Sequence, residues 1–228
     1  MGGDSSSVAE LLMMGNVQIV VTDTAFAAIK DNGSIVTWGA WNRGGDSTAV
    51  ATLLAEGVVQ VCGNTGAFAA RKSNGSLVTW GSQFFGGDSS NVAPLLTEGI
   101  VQVCRTNGAC AALLANGSVA TWGNDEEGGD SSKVATLLTG DVQICGSGGA
   151  FAAIKSGGSV VTWGDDWGGD SSEVAAFLTE GVVQICGGEM AFAAIKADGN
   201  IVSWGDSRYG GDSSTIASLL AKGVVAIC

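Results

Sequence analysis

The sequence predicts a mainly β protein with short helices, assembled from tandem repeats of about 42 residues into a β-propeller-like ring or open array. Three observations carry that prediction. A Gly-Gly-Asp triplet recurs with its aspartate at Asp4, Asp46, Asp88, Asp130, Asp170 and Asp212, and a Trp-Gly pair recurs at Trp38, Trp80, Trp122, Trp163 and Trp204, a spacing of 40 to 42 residues. Between these markers each unit holds three short runs rich in β-branched, Ala and Phe residues, the composition of strands. The turns are made with glycine, 37 residues against a single proline, which suits a chain that reverses direction often.

The elements of one unit follow in order. After Gly-Gly-Asp-Ser, apolar residues stand at i, i+3 and i+4: Val8, Leu11, Leu12; Val50, Leu53, Leu54; Val92, Leu95, Leu96; Val134, Leu137, Leu138; Val174, Phe177, Leu178; Ile216, Leu219, Leu220. This is the stripe of a short helix, N-capped by Asp and Ser and stopped at Gly57, Gly99, Gly181 and Gly223. Pro94 fits only a first turn, so that helix is expected to begin near Asn91 and run about two turns. A β-branched strand such as Val58-Val59-Gln60-Val61-Cys62 comes next, then a variable tetrad, Val21 to Thr24 in the first repeat and Gly63 to Gly66 in the second. Ala25 to Lys30 and Ser34 to Trp38 flank Asp31-Asn32-Gly33, which reads as a hairpin with a tight primed turn, repeated at Asn74-Gly75, Asn116-Gly117, Gly157-Gly158 and Asp198-Gly199. Lys30, Lys72, Lys155 and Lys196, at the end of the first hairpin strand, are expected to be solvated.

The helix-plus-strand part occurs six times and the hairpin five. Units are therefore counted from Ala25, Ala67, Ala109, Ala150 and Ala191, with residues 1–20 as an N-terminal half unit and residues 1–228 as a single repeat domain. Family likeness enters at this point. Gly-Ser-Ile-Val-Thr-Trp-Gly, Gly-Val-Val-Gln-Val-Cys-Gly and Ala-Phe-Ala-Ala-Ile-Lys resemble the repeats of the regulator of chromosome condensation superfamily. The short period is similar to its relatives with three-stranded blades, such as the type II β-lactamase inhibitor protein. The resemblance covers essentially the whole chain and implies a propeller, commonly of seven blades. Family members often carry His where this chain has the Ala of Ala-Phe-Ala-Ala, and Gly-Gln-Leu-Gly where it has Gly-Gly-Asp-Ser. No residue motif for guanine-nucleotide exchange or for chromatin binding is matched.

Charge and composition narrow the function. Ten basic residues against 22 acidic give a net charge of −12, which opposes nucleic-acid binding because that affinity comes from neutralising phosphates with Lys and Arg. No apolar run approaches the roughly 20 residues a membrane helix needs, and the chain enters a repeat at Gly2 without a signal sequence. The reading is a soluble protein, with free thiols tilting slightly toward a reducing compartment. Cys62, Cys104, Cys145, Cys186 and Cys228 share one repeat position, where the first repeat has Val20, and read as small buried apolar residues. Cys110 replaces the Phe of Phe26, Phe68, Phe151 and Phe192. With no histidine and no CxxC spacing, neither a metal nor another cofactor is expected. The same lack of histidine, with no nucleophile elbow, phosphate loop or paired carboxylates, points away from an enzyme.

What differs between repeats is concentrated after Trp-Gly. There lie Trp41, Arg43, Phe84, Phe85, Asp125, Glu126, Glu127, Trp167, Arg208 and Tyr209, ten residues that equivalent loops would project from one edge of the array. Aromatic and Arg side chains on such an edge are the material of a protein-binding patch. The repeated Trp residues, identical in every unit, belong instead to packing within and between blades. The expectation is a non-enzymatic protein–protein interaction scaffold with a protein partner. A carbohydrate or small-ligand receptor, and a structural accessory or linker subunit of a larger complex, membrane-associated ones included, are the alternatives.

Overall fold

The computed structural model describes residues 3–13, 15–140, 142–216 and 226. Five three-stranded antiparallel sheets follow one another along the chain, each a meander in sequence order. Blade I contains β1 (Asn16–Val21), β2 (Ala25–Lys30) and β3 (Ile35–Gly39). Blade II contains β4 (Val58–Gly63), β5 (Ala67–Lys72) and β6 (Leu77–Gly81). Blade III contains β7 (Ile100–Arg105), β8 (Ala109–Leu114) and β9 (Val119–Gly123). Blade IV contains β10 (Val142–Gly146), β11 (Ala150–Lys155) and β12 (Val160–Gly164). Blade V contains β13 (Val182–Gly187), β14 (Ala191–Lys196) and β15 (Ile201–Gly205). The strand at 16–21 pairs with the hairpin that follows it, so sheets run from one Gly-Gly-Asp segment to the next Trp-Gly. Leu219, Leu220, Gly223 and Cys228 of the last half unit lie outside the described residues, as does the side chain of Ile216.

The core sits between blades. One face of blade I, with Ala25, Ala27 and Ile29, packs against Val61, Phe68, Ala70 and Trp80 of blade II and against Leu54 of the connecting segment. The same arrangement recurs at the next three junctions. Alanines on one side and aromatics on the other let two sheets approach closely, as interdigitation requires. In blades I, II, IV and V a Phe stacks on the Trp directly across the hairpin, with ring centroids 5.1, 5.1, 5.3 and 5.2 Å apart. Such a pair adds about 0.5–1.5 kcal/mol beyond its burial. Cys110 takes the Phe place in blade III, buried opposite Trp122. Blade I has no described blade on its other side, and Ile19 there is 57% exposed while its equivalents Val61, Val103 and Ile144 are 4–7% exposed.

Several local expectations are corrected. The connecting segments are single turns of 3-10 helix, such as Thr48–Val50, or longer ones such as Ser90–Leu95 with Pro94 inside; the α-helix is Ala9–Leu12. Segments this short cannot repay α nucleation and tighten to i→i+3 bonds. Only two of the three stripe positions turn inward. A bond from Leu54 N to Val50 O sets those two side chains one above the other, and Leu53, Leu95, Leu137 and Phe177 are left 49–59% exposed. Capping falls to the aspartate alone, Asp46 Oδ1 accepting from Thr48 N at 2.9 Å, while the Ser47 hydroxyl pairs with Thr37. The hairpin turn is not primed. It has three loop residues, with Gly33 N donating to Lys30 O, Gly33 at φ +74° and Asn32 outside the left-handed region, the geometry of a type I turn followed by a glycine bulge. Lys30, Lys72 and Lys196 are half-buried and donate to the main-chain oxygens of Leu11, Leu53 and Phe177.

Cys62, Cys104, Cys145 and Cys186 are half-buried rather than buried; the first three face the next blade, where Cys104 Sγ approaches Ile144 O at 3.0 Å. Desolvation pushes the Cys104 and Cys110 thiols up to about 12.

Candidate partner-binding face

At the end of each third strand the chain leaves Trp-Gly and makes one turn of 3-10 helix: Trp41–Arg43, Gln83–Phe85, Asp125–Glu127 and Ser207–Tyr209. Blade IV uses the shorter Asp165-Asp166-Trp167. A glycine closes the turn, left-handed at Gly44, Gly86, Gly128 and Gly210. At Gly44 (φ +97°) a Cβ would also fall 2.5 Å from the Phe68 ring, so the next blade's aromatic occupies the space glycine leaves. The carbonyl of this glycine accepts from the indole of the following blade: Trp80 Nε1 to Gly44 O at 3.0 Å, Trp122 to Gly86 at 2.9 Å, Trp163 to Gly128 at 3.1 Å and Trp204 to Gly168 at 3.0 Å. The repeated tryptophan therefore fills the core and pins the neighbouring turn. The pin is buried, so its loss would leave an unpaired carbonyl.

A second anchor escaped the sequence reading. The second residue of the tetrad between first and second strands is buried in blades I to IV, as Thr22, Asn64, Thr106 and Ser147. Its side chain accepts from the amide at the start of the second strand, as Thr22 Oγ1 does from Ala25 N at 2.9 Å. In three blades it also donates to the last carbonyl of the 3-10 turn: Thr22 to Arg43 O, Asn64 to Phe85 O and Thr106 to Glu127 O, at 3.2, 2.7 and 3.0 Å. The available signal was a small polar residue at one position of a tetrad that otherwise varies.

Both anchors hold the turns of blades I to III and the indole alone that of blade IV; across the five turns the side chains divide. Trp41 (76% exposed), Phe84 (72%), Trp167 (49%) and Tyr209 (51%) reach solvent, as do Asp125 and Glu126. Arg43 and Phe85 turn inward: the guanidinium lies 4.6 Å over the Phe85 ring and both pack over Gly66. Glu127 is also half-buried, over Gly108, with Oε1 accepting from Asn124 Nδ2 and the buried Oε2 without a hydrogen bond. Desolvation raises its carboxyl above the ordinary range, and nearby Asp165 adds to the effect. Arg208 projects outward, held by the buried Asp206, with its guanidinium 5.7 Å from the Trp167 ring centre. Successive turns are separated by open clefts of about 630, 910 and 1030 Å³ between blades I and II, III and IV, and IV and V.

Hydroxyls, carboxylates and aromatic rings line these clefts. Among the described residues no group of three or more Cys, Asp and Glu is placed to hold a metal ion, and no helix is long and apolar enough to cross a membrane. With the blades and their turns in place, the likeness to solved proteins can be stated. Human WBSCR16 superposes with a TM-score of 0.56 at 18% identity, over 83% of this chain and 61% of that one. Yeast Prp20, solved with Kap60 bound, gives 0.55 at 19%, over 83% and 56%. The fold is that of the regulator of chromosome condensation proteins. A second yeast Prp20 structure, reported with its binding to Gsp1p and histones, gives 0.53 at 18% identity over 83% of this chain and 57% of that one. The chain thus spans about three fifths of the length of the structures it resembles. No family model matches the sequence, and no curated protein is detectably similar to it.

Proposed function

We propose that the chain is a non-enzymatic interaction scaffold that captures a protein partner on the face built by the turns after Trp-Gly. The observation that carries the reading is the contrast within those turns. The backbone of the turns in blades I to IV is held in the same way by the indole bond from the next blade to glycine, while the outward side chains differ from blade to blade and, with Tyr209 of blade V, include four large exposed aromatics. Exposed aromatic rings that the fold does not use are typical anchors of protein interfaces. That yeast Prp20 binds other proteins agrees with this reading for the fold at large.

The test replaces Trp41, Phe84, Trp167 and Tyr209 with alanine in one variant and measures partner capture beside thermal unfolding. Capture is lost and the melting temperature stays within a few degrees; retained capture refutes the reading. A glycan array distinguishes the carbohydrate alternative, since hits abolished by the same variant would favour sugar rings stacked on these aromatics.

A further inference from the structure

The clefts differ in how they are already filled, and this difference deepens the scaffold reading, on which it rests. In the cleft between blades I and II the chain supplies its own cation: Arg43 lies over Phe85. In the cleft between blades IV and V, Arg208 reaches toward Trp167, its charge already balanced by Asp206. Trp167 forms the wall between that cleft and the one between blades III and IV, lining both. On the blade III side, among the described residues, no arginine lines the cleft and Lys133 is the one cation, against Asp125, Glu126, Asp130, Asp165, Asp166 and Asp170. The cleft is thus about 910 Å³ of open space with a half-exposed indole at its edge and a strong excess of negative charge.

The geometry points to a docking site for an extended basic segment of a partner protein, with a Lys or Arg side chain entering the cleft between blades III and IV against Trp167. The two internal arginines demonstrate the contact that the ring surfaces of this face make. A guanidinium or ammonium over an indole is attracted by its quadrupole, and the surrounding carboxylates add to the attraction. Charge complementarity commits the occupant to a cationic chain. A net charge of −12 also speeds its encounter at low salt. A nucleic acid is repelled by the same carboxylates.

The experiment measures fluorescence anisotropy of a labelled twelve-residue Gly-Arg-Gly-Lys repeat peptide on the intact chain, with a Gly-Glu repeat and a neutral glucan hexamer as comparison probes. The basic peptide binds and the other two do not. Raising salt from 50 to 500 mM weakens binding about tenfold or more, since exposed charges are screened. Trp167→Ala weakens it about two- to thirtyfold, the range of a cation–π contact. The pair Asp125→Asn with Asp166→Asn, which keeps the turn backbone, also weakens it, and Val59→Ala, an exposed position on β4 outside the clefts, leaves it unchanged. Basic-peptide binding indifferent to Trp167→Ala, or equal loss from Val59→Ala, overturns the assignment to this cleft. So does binding of the glucan in place of the peptide. Absence of peptide binding at 50 mM salt overturns it too. None of these refutes the wider scaffold reading, which fails only if capture of a native partner survives loss of all four exposed aromatics.

Discussion

The hairpin end of each blade and, in blades I, II, III and V, the Trp-Gly end are turns closed by a left-handed glycine, yet they treat their side chains oppositely. At the hairpin end the side chains build the turn. Asn32 Oδ1 accepts from both the amide and the hydroxyl of Ser34, Asn74 does the same for Ser76, and Asn116 for Ser118. The lysines beside them hold main-chain oxygens of the connecting segment. At the Trp-Gly end the turn is held mainly from outside, by an indole from the next blade and a buried Thr or Asn from the tetrad. The comparison teaches that sequence is free to vary where distant groups satisfy the backbone, and constrained where local side chains must do so.

Breaking the external support should have the largest effect. Gly44→Ala places a Cβ against the Phe68 ring and forces a left-handed alanine, so urea unfolding is expected to lose about 3 kcal/mol or more. Trp163→Phe keeps the stack on Phe151 but removes the donor to Gly128 O. Leaving that buried carbonyl unpaired costs about 1–3 kcal/mol in the same measurement. At the other end, Asn74→Ala removes two exposed bonds and is expected to cost about 1 kcal/mol.

Acid sharpens the comparison in a different way. The amides of Thr48, Ser90, Ser132, Ser172 and Ser214 hold Asp46, Asp88, Asp130, Asp170 and Asp212 below the ordinary carboxylate range. A carboxyl depressed in the folded state stabilises above its unfolded value of 3.8 and loses that contribution as pH falls through the lower folded value. The melting temperature should therefore drop below about pH 4, and Asp→Asn at Asp46, Asp88 and Asp170 together should flatten that limb. The smallest effect is expected on the exposed face: Trp41→Ala or Phe84→Ala changes stability by less than about 0.5 kcal/mol.

Much of the frame was legible. Strands, hairpins and the structural role of the repeated Trp and Phe follow from residues that recur at equal spacing, because each copy must meet the same neighbouring copy. The candidate face was less so. Trp41, Phe84, Trp167 and Tyr209 stand out as aromatics outside the repeat, but nothing in their spacing says that Arg43 covers Phe85 or that Glu127 folds back over Gly108. Those directions depend on space left at Gly66 and Gly108, in the loops between first and second strands, which for Arg43 belongs to the next blade. The turn type lies outside local sequence for a related reason. Asn-Gly suits two turn geometries, and the length of the loop between paired residues decides between them.

By itself the sequence determined the repeat, the strand order within a blade and the positions free to vary, since these are consequences of periodicity and local backbone preference. Only the tertiary structure decided which of the variable side chains face solvent and which clefts already hold a cation of their own. Burial and charge pairing depend on the side chains that neighbouring turns and blades bring near, and that proximity has no signature in local sequence.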